Sequence, residues 1–263
     1  MPETAEHQAK MWLALLLRLT DVAPDWLAMK GIDSALTGVG DVDSIAPLAE
    51  WPLITEEFRR WAVQEGLGPV VVCPHAPFLL HLVALSPMRP EFFELDVNRR
   101  KVFLGSTLFR PADVAALAVV DQYGVRRLRP GAEGLLKLVQ NGCSRGGKAK
   151  PEALRMKGVR ELLREDPEGV RQFARLFGLG HKAVVRAAEA VVAGSWDRTA
   201  ILTMEAACLA RSVREPDAVV ARLRFRYQRQ RCPVLVTVLQ HGRRVEDRER
   251  WLGEVSATHQ VFS

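Results

Sequence analysis

The sequence predicts an α+β protein: a mixed sheet flanked by helices, followed by a mainly helical region. Three observations lead there. Short β-branched and apolar runs recur between residues 25 and 104, interrupted by one helical segment. A long apolar helix precedes them. After Pro130 the hydrophobic spacing turns helical and stays so to about residue 212. Strands first and helices afterwards mark the α+β class.

Residues 7–20 read as an amphipathic to fully buried helix. Asp25 to Lys30 is a short link or strand that leads to a glycine turn. Val42 to Ile45 is a strand that Pro47 ends. Thr55-Glu56-Glu57-Phe58 opens a helix to about Gln64, with Thr55 as N-cap and acidic residues in its first turn. Val70 to Cys73 and His81 to Leu85 are strands by β-branching and apolar content. Phe92 to Val97 pairs antiparallel with the latter, and Lys101 to Leu104 extends the sheet. Pro111 starts a short helix, and 119–128 is a hairpin around Gln122-Tyr123-Gly124. Candidate helices are 131–141, 151–165, 167–177, 181–193 and 197–212. Arg222 to Tyr227 alternates charged and apolar residues, and Val234 to Leu239 is a strong strand pattern. The division expected is 1–130 as one domain, 131–232 as a basic helical domain, and 233–263 as a strand–helix segment. The loop Gln240 to Arg244 lacks the Gly-x4-Gly-Lys spacing of a P-loop.

With 48% hydrophobic and 26% charged residues, the chain has the composition of a globular protein. The apolar run Met11–Leu17 stops at Arg18 and is too short to span a bilayer. Cys73, Cys143, Cys208 and Cys232 are scattered, which indicates neither a disulfide framework nor a zinc site. A reducing cytoplasm with no membrane partner is the expectation. The net charge of +6 hides a split: residues 1–98 hold 6 Lys/Arg against 14 Asp/Glu, and residues 99–263 hold 31 against 17. A net of −8 is thus followed by +14, which suits a basic half that meets a polyanion, or a solvated Arg-rich surface.

The chemistry-bearing feature is a trio of carboxylates. Asp41 and Asp43 stand at i and i+2 in Gly40-Asp41-Val42-Asp43, on one face if the segment is extended. Asp96 lies in the apolar strand Phe92 to Val97 and would close the site from a neighbouring strand. Like charges this close need a cation between them, and oxygen-only donors suit Mg²⁺ or Mn²⁺. The bland alternative is a solvated turn for Asp41 and Asp43, or a helix cap at Asp43. Asp96 needs a partner on an apolar strand, and Arg99 or Arg100 is the expected one.

The ordered set of Leu27-Ala28-Met29-Lys30-Gly31, Ser34, Asp41-Val42-Asp43 and Asp96 resembles the polymerase-β-like nucleotidyltransferase superfamily. Within it, the Lys-Gly start is similar to a group of uncharacterised bacterial nucleotidyltransferases related to toxin-type members. Ser34 stands three residues after Gly31, where the family has Ser beside Gly. The resemblance covers roughly residues 10–140 and implies a polymerase-β-like core. It implies transfer of a nucleoside monophosphate from an NTP such as ATP to an acceptor hydroxyl, with release of pyrophosphate. Asp41, Asp43 and Asp96 would be the catalytic and metal-binding residues. Lys30, Gly31 and Ser34 would cradle the triphosphate, helped by Lys137 from a later helix and by Lys148 in the basic loop Arg145 to Lys150. RNA, especially tRNA, is the acceptor that the basic half favours, with an antitoxin or other partner protein implied for a toxin-type member. Two alternatives stand beside this: a catalytically inactive relative that binds RNA or protein, and a small-molecule, antibiotic-type transferase. Arg222 to Arg231, with Phe225 and Tyr227, is either a nucleic-acid surface or an edge strand guarded by arginine.

Overall fold

The computed structural model of the chain describes residues 2–38, 40–86, 92–144, 148–149, 153–214 and 216–231. The chain starts with α1 (Pro2–Val22), β1 (Leu27–Lys30), α2 (Ile32–Ala35), β2 (Val42–Ile45) and α3 (Trp51–Gln64). It continues through β3 (Val70–Ala76), β4 (Leu79–Leu85), β5 (Phe92–Asn98), β6 (Lys101–Phe103), β7 (Ser106–Phe109) and α4 (Pro111–Val114). After β8 (Ala118–Val120) and β9 (Arg126–Leu128) come α5 (Pro130–Lys137), β10 (Cys143–Ser144) and β11 (Lys148–Ala149). The last elements are α6 (Ala153–Glu165), α7 (Pro167–Ala174), α8 (His181–Val192), α9 (Arg198–Arg214) and α10 (Asp217–Arg231). Met1–Arg222 forms one compact unit, and Leu223–Ser263 a second. Among the described residues no helix is long and apolar enough to cross a membrane.

Seven strands form one mixed sheet in the order β3-β4-β5-β2-β1-β9-β8. β2 runs parallel to β5, and β1 parallel to β9; the other pairs are antiparallel. α1 and α3 cover one face. Trp12 and Trp61 pack on Phe93 of β5 with ring centroids 5.5 and 5.3 Å apart. Alternation sends Leu80, Leu82, Phe93, Leu95, Val97 and Val42 into this core. The residues between them, His81, Glu94, Asp96 and Asp43, therefore stand on the opposite face. Farther along the sheet Leu27, Met29 and Ile45 join the second core, which α5 to α9 complete around Phe109, Leu135 and Phe173.

Three local expectations are corrected. Lys101 to Leu104 does not extend the sheet: β6 and β7 make a separate ribbon, with Phe103 opposite Ser106. Leu104 and Gly105, with φ of 49° and 84°, form its two-residue turn, because two positive-φ residues match the twist of a tight hairpin. The helix expected from Thr55 begins at Trp51, and Pro52 occupies its first turn, where a missing N–H costs nothing. Arg222 to Tyr227 belongs to helix α10 and not to an edge strand. Ala, Leu, Arg and Gln are strong helix formers, and a six-residue charged–apolar alternation does not outweigh them. The expected strand 234–239 lies outside the described residues.

An ionic contact adds to this apolar join between the sheet and the later helices. The Asp166 side chain caps α7 through Gly169 N–H and also accepts from Gly131 N–H at the start of α5. Arg129, beside β9, grips the same carboxylate at 2.7 and 2.6 Å. Burial alone would raise the pKa of Asp166, but Arg129 and these N–H groups hold it below its ordinary value.

Candidate functional site

A single row of charged side chains crosses four adjacent strands. On β4, His81 is the register partner of Asp96 on β5. Asp96 is the register partner of Asp43 on β2, and Asp43 of Lys30 on β1. Adjacent strands lie about 4.8 Å apart, so the two carboxylates face each other across one strand spacing. Lys30 comes into line because β1 carries one extra residue between Ala28 and Lys30. Without that bulge Lys30 would follow Ala28 into the α1/α3 core. Ser44 Oγ donates to the Asp96 carbonyl at 2.8 Å, and Asn98 Nδ2 donates to the Ser44 carbonyl at 3.0 Å, which fasten β2 to β5 at this level.

The two ends of the row are neutralised differently. Asp43 is 6% exposed, and both of its oxygens meet ammonium groups. Lys30 Nζ lies 2.7 Å from Oδ2, and Lys101 Nζ lies 3.2 Å from Oδ1. Burial works to raise the pKa of Asp43, but Lys101 and Lys30 outweigh it and hold the carboxyl low. At the other end His81 Nδ1 is 2.7 Å from Asp96 Oδ1 and 3.7 Å from Glu94 Oε1. Burial pushes Glu94 up to about 7; the His81 charge opposes this, and the fields of Asp96, Asp41 and Asp43 add to it. Burial works to lower the pKa of His81, but the hydrogen bond and charge of Asp96, with Glu94 and Asp41, raise it. Asp41 precedes β2, is exposed, and acts on both groups.

The glycine turn fixes Asp41. Gly31 has φ of +92°, and a Cβ there would stand 2.1 Å from the Asp41 carbonyl oxygen. Only glycine lets β1 turn into α2 while the Asp41 backbone passes this close. Ser34 is exposed on α2, and its Cβ is 3.6 Å from where a Gly40 Cβ would be. Asp33, between them, takes two bonds from Arg127 of β9 at 2.8 and 3.1 Å. Arg127 also reaches Glu133 of α5 at 2.7 Å, and Lys137 lies 2.6 Å from the other Glu133 oxygen. The Arg127 hydrogen bond is the largest cause that lowers the Asp33 pKa, and the Lys137 charge contributes. Lys137, paired with Glu133, is thus linked to Asp33 through the Glu133–Arg127 chain of charges.

Of the residues singled out from the sequence, Lys30, Gly31, Asp41, Asp43 and Asp96 come together around β1, β2 and β5. Ser34 follows the turn on α2, and Lys137 is held by Glu133 on α5. Lys148 sits on β11, paired with Ser144, in a small ribbon of its own. The Asp96 partner is His81 and not Arg99 or Arg100. Arg100 lies 3.7 Å over the Phe78 ring and pairs with Asp217 at 2.6 Å, and Arg99 stands 5.3 Å from the same ring. Sequence reasoning missed Glu94, Lys101 and Arg127 as members of the site. Glu94 carried a signal, since i and i+2 alternation with Asp96 puts it on the same face.

The carboxylates on this face are oxygen donors of the type that hard divalent cations take. Asp41 is exposed, Asp96 is half-buried, and burial, reinforced by the charges of Asp96, Asp41 and Asp43, raises the Glu94 pKa. Asp43 already holds two ammonium groups. Among the described residues His81, Glu94 and Asp96 bring one ligand atom each within 4.8 Å of one another.

No protein-family profile matches the sequence, and no curated protein matches it significantly. Among solved structures the chain is similar to JHP933 from Helicobacter pylori, at 14% identity and a TM-score of 0.45, over 82% of this chain and 98% of that one. It is also similar to an H. pylori protein named provisionally as a nucleotidyltransferase, at 14% identity and a TM-score of 0.44, over 81% and 97%. Likenesses this loose carry no functional weight.

Proposed function

We propose that the chain is a metal-dependent nucleotidyltransferase that moves a nucleoside monophosphate from an NTP to an acceptor hydroxyl and releases pyrophosphate. The observation that carries this reading is the register that sets Asp43 against Asp96 on parallel strands, with Asp41 next to the pair. Asp41, Asp43 and Asp96 are the residues that would hold Mg²⁺ or Mn²⁺. A cation held there would supply a lowered pKa for the acceptor hydroxyl and positive charge for the phosphate oxygens. Lys30 and Lys101 supply further positive charge at the Asp43 end. In this reading the backbone N–H groups around Gly31, with Ser34, cradle the triphosphate. In the same reading Lys137 of α5 adds a positive charge for the triphosphate, and we keep Lys148 as a basic group for an incoming polyanion. The division of charge along the chain favours RNA, with tRNA as its natural source of an acceptor hydroxyl.

One observation favours a second reading. The two lysines on Asp43 let the row hold together with no cation, as a non-catalytic binder of RNA or protein would need. Calorimetric titration of each NTP with Mg²⁺ or Mn²⁺ separates the two. The transferase reading predicts metal-dependent binding of at least one NTP, weakened about tenfold or more in Asp41→Asn, which is about 1.4 kcal/mol. Absence of NTP binding by folded protein sinks it in favour of the binder.

A further inference from the structure

We propose that His81, Glu94 and Asp96 form a binding site for a first-row transition-metal dication, with Zn²⁺ or Co²⁺ held in preference to Mg²⁺. This site shares Asp96 with the reading above and rests on that reading in no other way. It is built by β4 and β5 alone. His81 and Asp96 are register partners, and Glu94 precedes Asp96 by two residues, so all three project from one face. Their ligand atoms lie within 4.8 Å of one another. Metal–ligand bonds of about 2.0–2.2 Å put neighbouring ligands of one ion about 3–4 Å apart, so small side-chain rotations suffice.

The donor set decides the metal. Mg²⁺ prefers oxygen in a strict octahedron and keeps much of its water. An imidazole nitrogen with two carboxylates instead suits zinc, cobalt and their neighbours, and open positions remain for water or substrate. The surroundings agree. His81 is 7% exposed, and the Glu94 and Asp96 side chains are 19% and 18% exposed, so the ligands are held and yet reachable. His81 Nδ1 already stands 2.7 Å from Asp96 Oδ1 and 3.7 Å from Glu94 Oε1, so the three donor groups converge on one point of the face. The backbone there is fixed by the Ser44 and Asn98 hydrogen bonds.

The test is titration of the metal-free full chain with Zn²⁺ and, separately, Mg²⁺, in the absence of nucleotide. The site predicts one equivalent of Zn²⁺ bound at least about 100-fold more tightly than Mg²⁺, and a loss of about 10–100-fold in Zn²⁺ affinity for both His81→Gln and Glu94→Gln. Unfolding curves show whether each variant is folded. X-ray absorption of the Zn²⁺-loaded unaltered chain needs no variant: imidazole outer-shell scattering supports the site, and an all-oxygen shell overturns it. Equal Zn²⁺ affinity in the wild type and both folded variants also overturns it. Failure of Zn²⁺ binding with Mg²⁺-dependent NTP binding intact removes this site alone. Loss of NTP binding with Zn²⁺ retained removes the transferase reading and leaves this one standing.

Discussion

Replacing Asp43 by alanine is expected to destabilise the protein by about 3–5 kcal/mol, the largest effect of any single change in the row. The reason is the pair of lysines that would remain. The Lys30 and Lys101 side chains are 18% and 13% exposed, and both point at the missing carboxylate. Two like charges would then be held near one another with little water to screen them. Urea unfolding of wild type and variant measures the difference. Coupling identifies the cause: adding Lys101→Met to Asp43→Ala is expected to recover part of the loss, because one uncompensated charge is removed. A loss below about 1 kcal/mol would mean that the lysines are solvated as surface pairs are. The pH dependence follows from the lowered pKa of Asp43. Its contribution is present above the ordinary value of 3.8 and is lost as pH falls through the depressed folded value.

Gly31→Ala is the second large effect, with an expected cost of about 2–4 kcal/mol. Part of it is the left-handed backbone at φ +92°, worth about 1–2 kcal/mol for a residue with a Cβ. The rest is the contact of that Cβ with the Asp41 carbonyl at 2.1 Å, which forces β1 or Asp41 to move. Gly66→Ala separates the two. Gly66 also has positive φ, at +67°, but a Cβ there meets nothing within 4 Å, so it reports the backbone term alone. Gly31→Ala should lower the thermal midpoint well beyond Gly66→Ala. Equal shifts would show that the Asp41 approach imposes no constraint.

The order of strands around the carboxylates was legible because alternation in Phe92 to Val97 and the turn before Asp41 are local signals. A neighbouring strand for Asp96 followed from them, and β2 beside β5 provides it. The cross-strand row was not legible, because register is a tertiary property. Lys30 enters it through a bulge that no composition announces, and Lys101 reaches Asp43 from a ribbon outside the main sheet. His81 gave no signal in the sequence beyond opening a strand, since its partners lie 13 and 15 residues onward and meet it through strand pairing. Arg127 was hidden for the same reason: β9 joins the sheet beside β1, 94 residues from Asp33 in sequence. In the helical half, amphipathic spacing located the helices, and their docking onto Leu27, Met29 and Ile45 needed the fold.

The most direct test of the central claim is transfer of label from α-³²P NTPs to a total tRNA fraction in the presence of Mg²⁺ or Mn²⁺. Wild type, Asp41→Asn and Asp96→Asn are compared, with pyrophosphate release measured in parallel. The account predicts metal-dependent label in RNA, with matching pyrophosphate, reduced at least about 100-fold in both variants. Label transfer that persists unchanged in Asp41→Asn and Asp96→Asn, or no transfer and no pyrophosphate from folded wild type with any NTP, would contradict it.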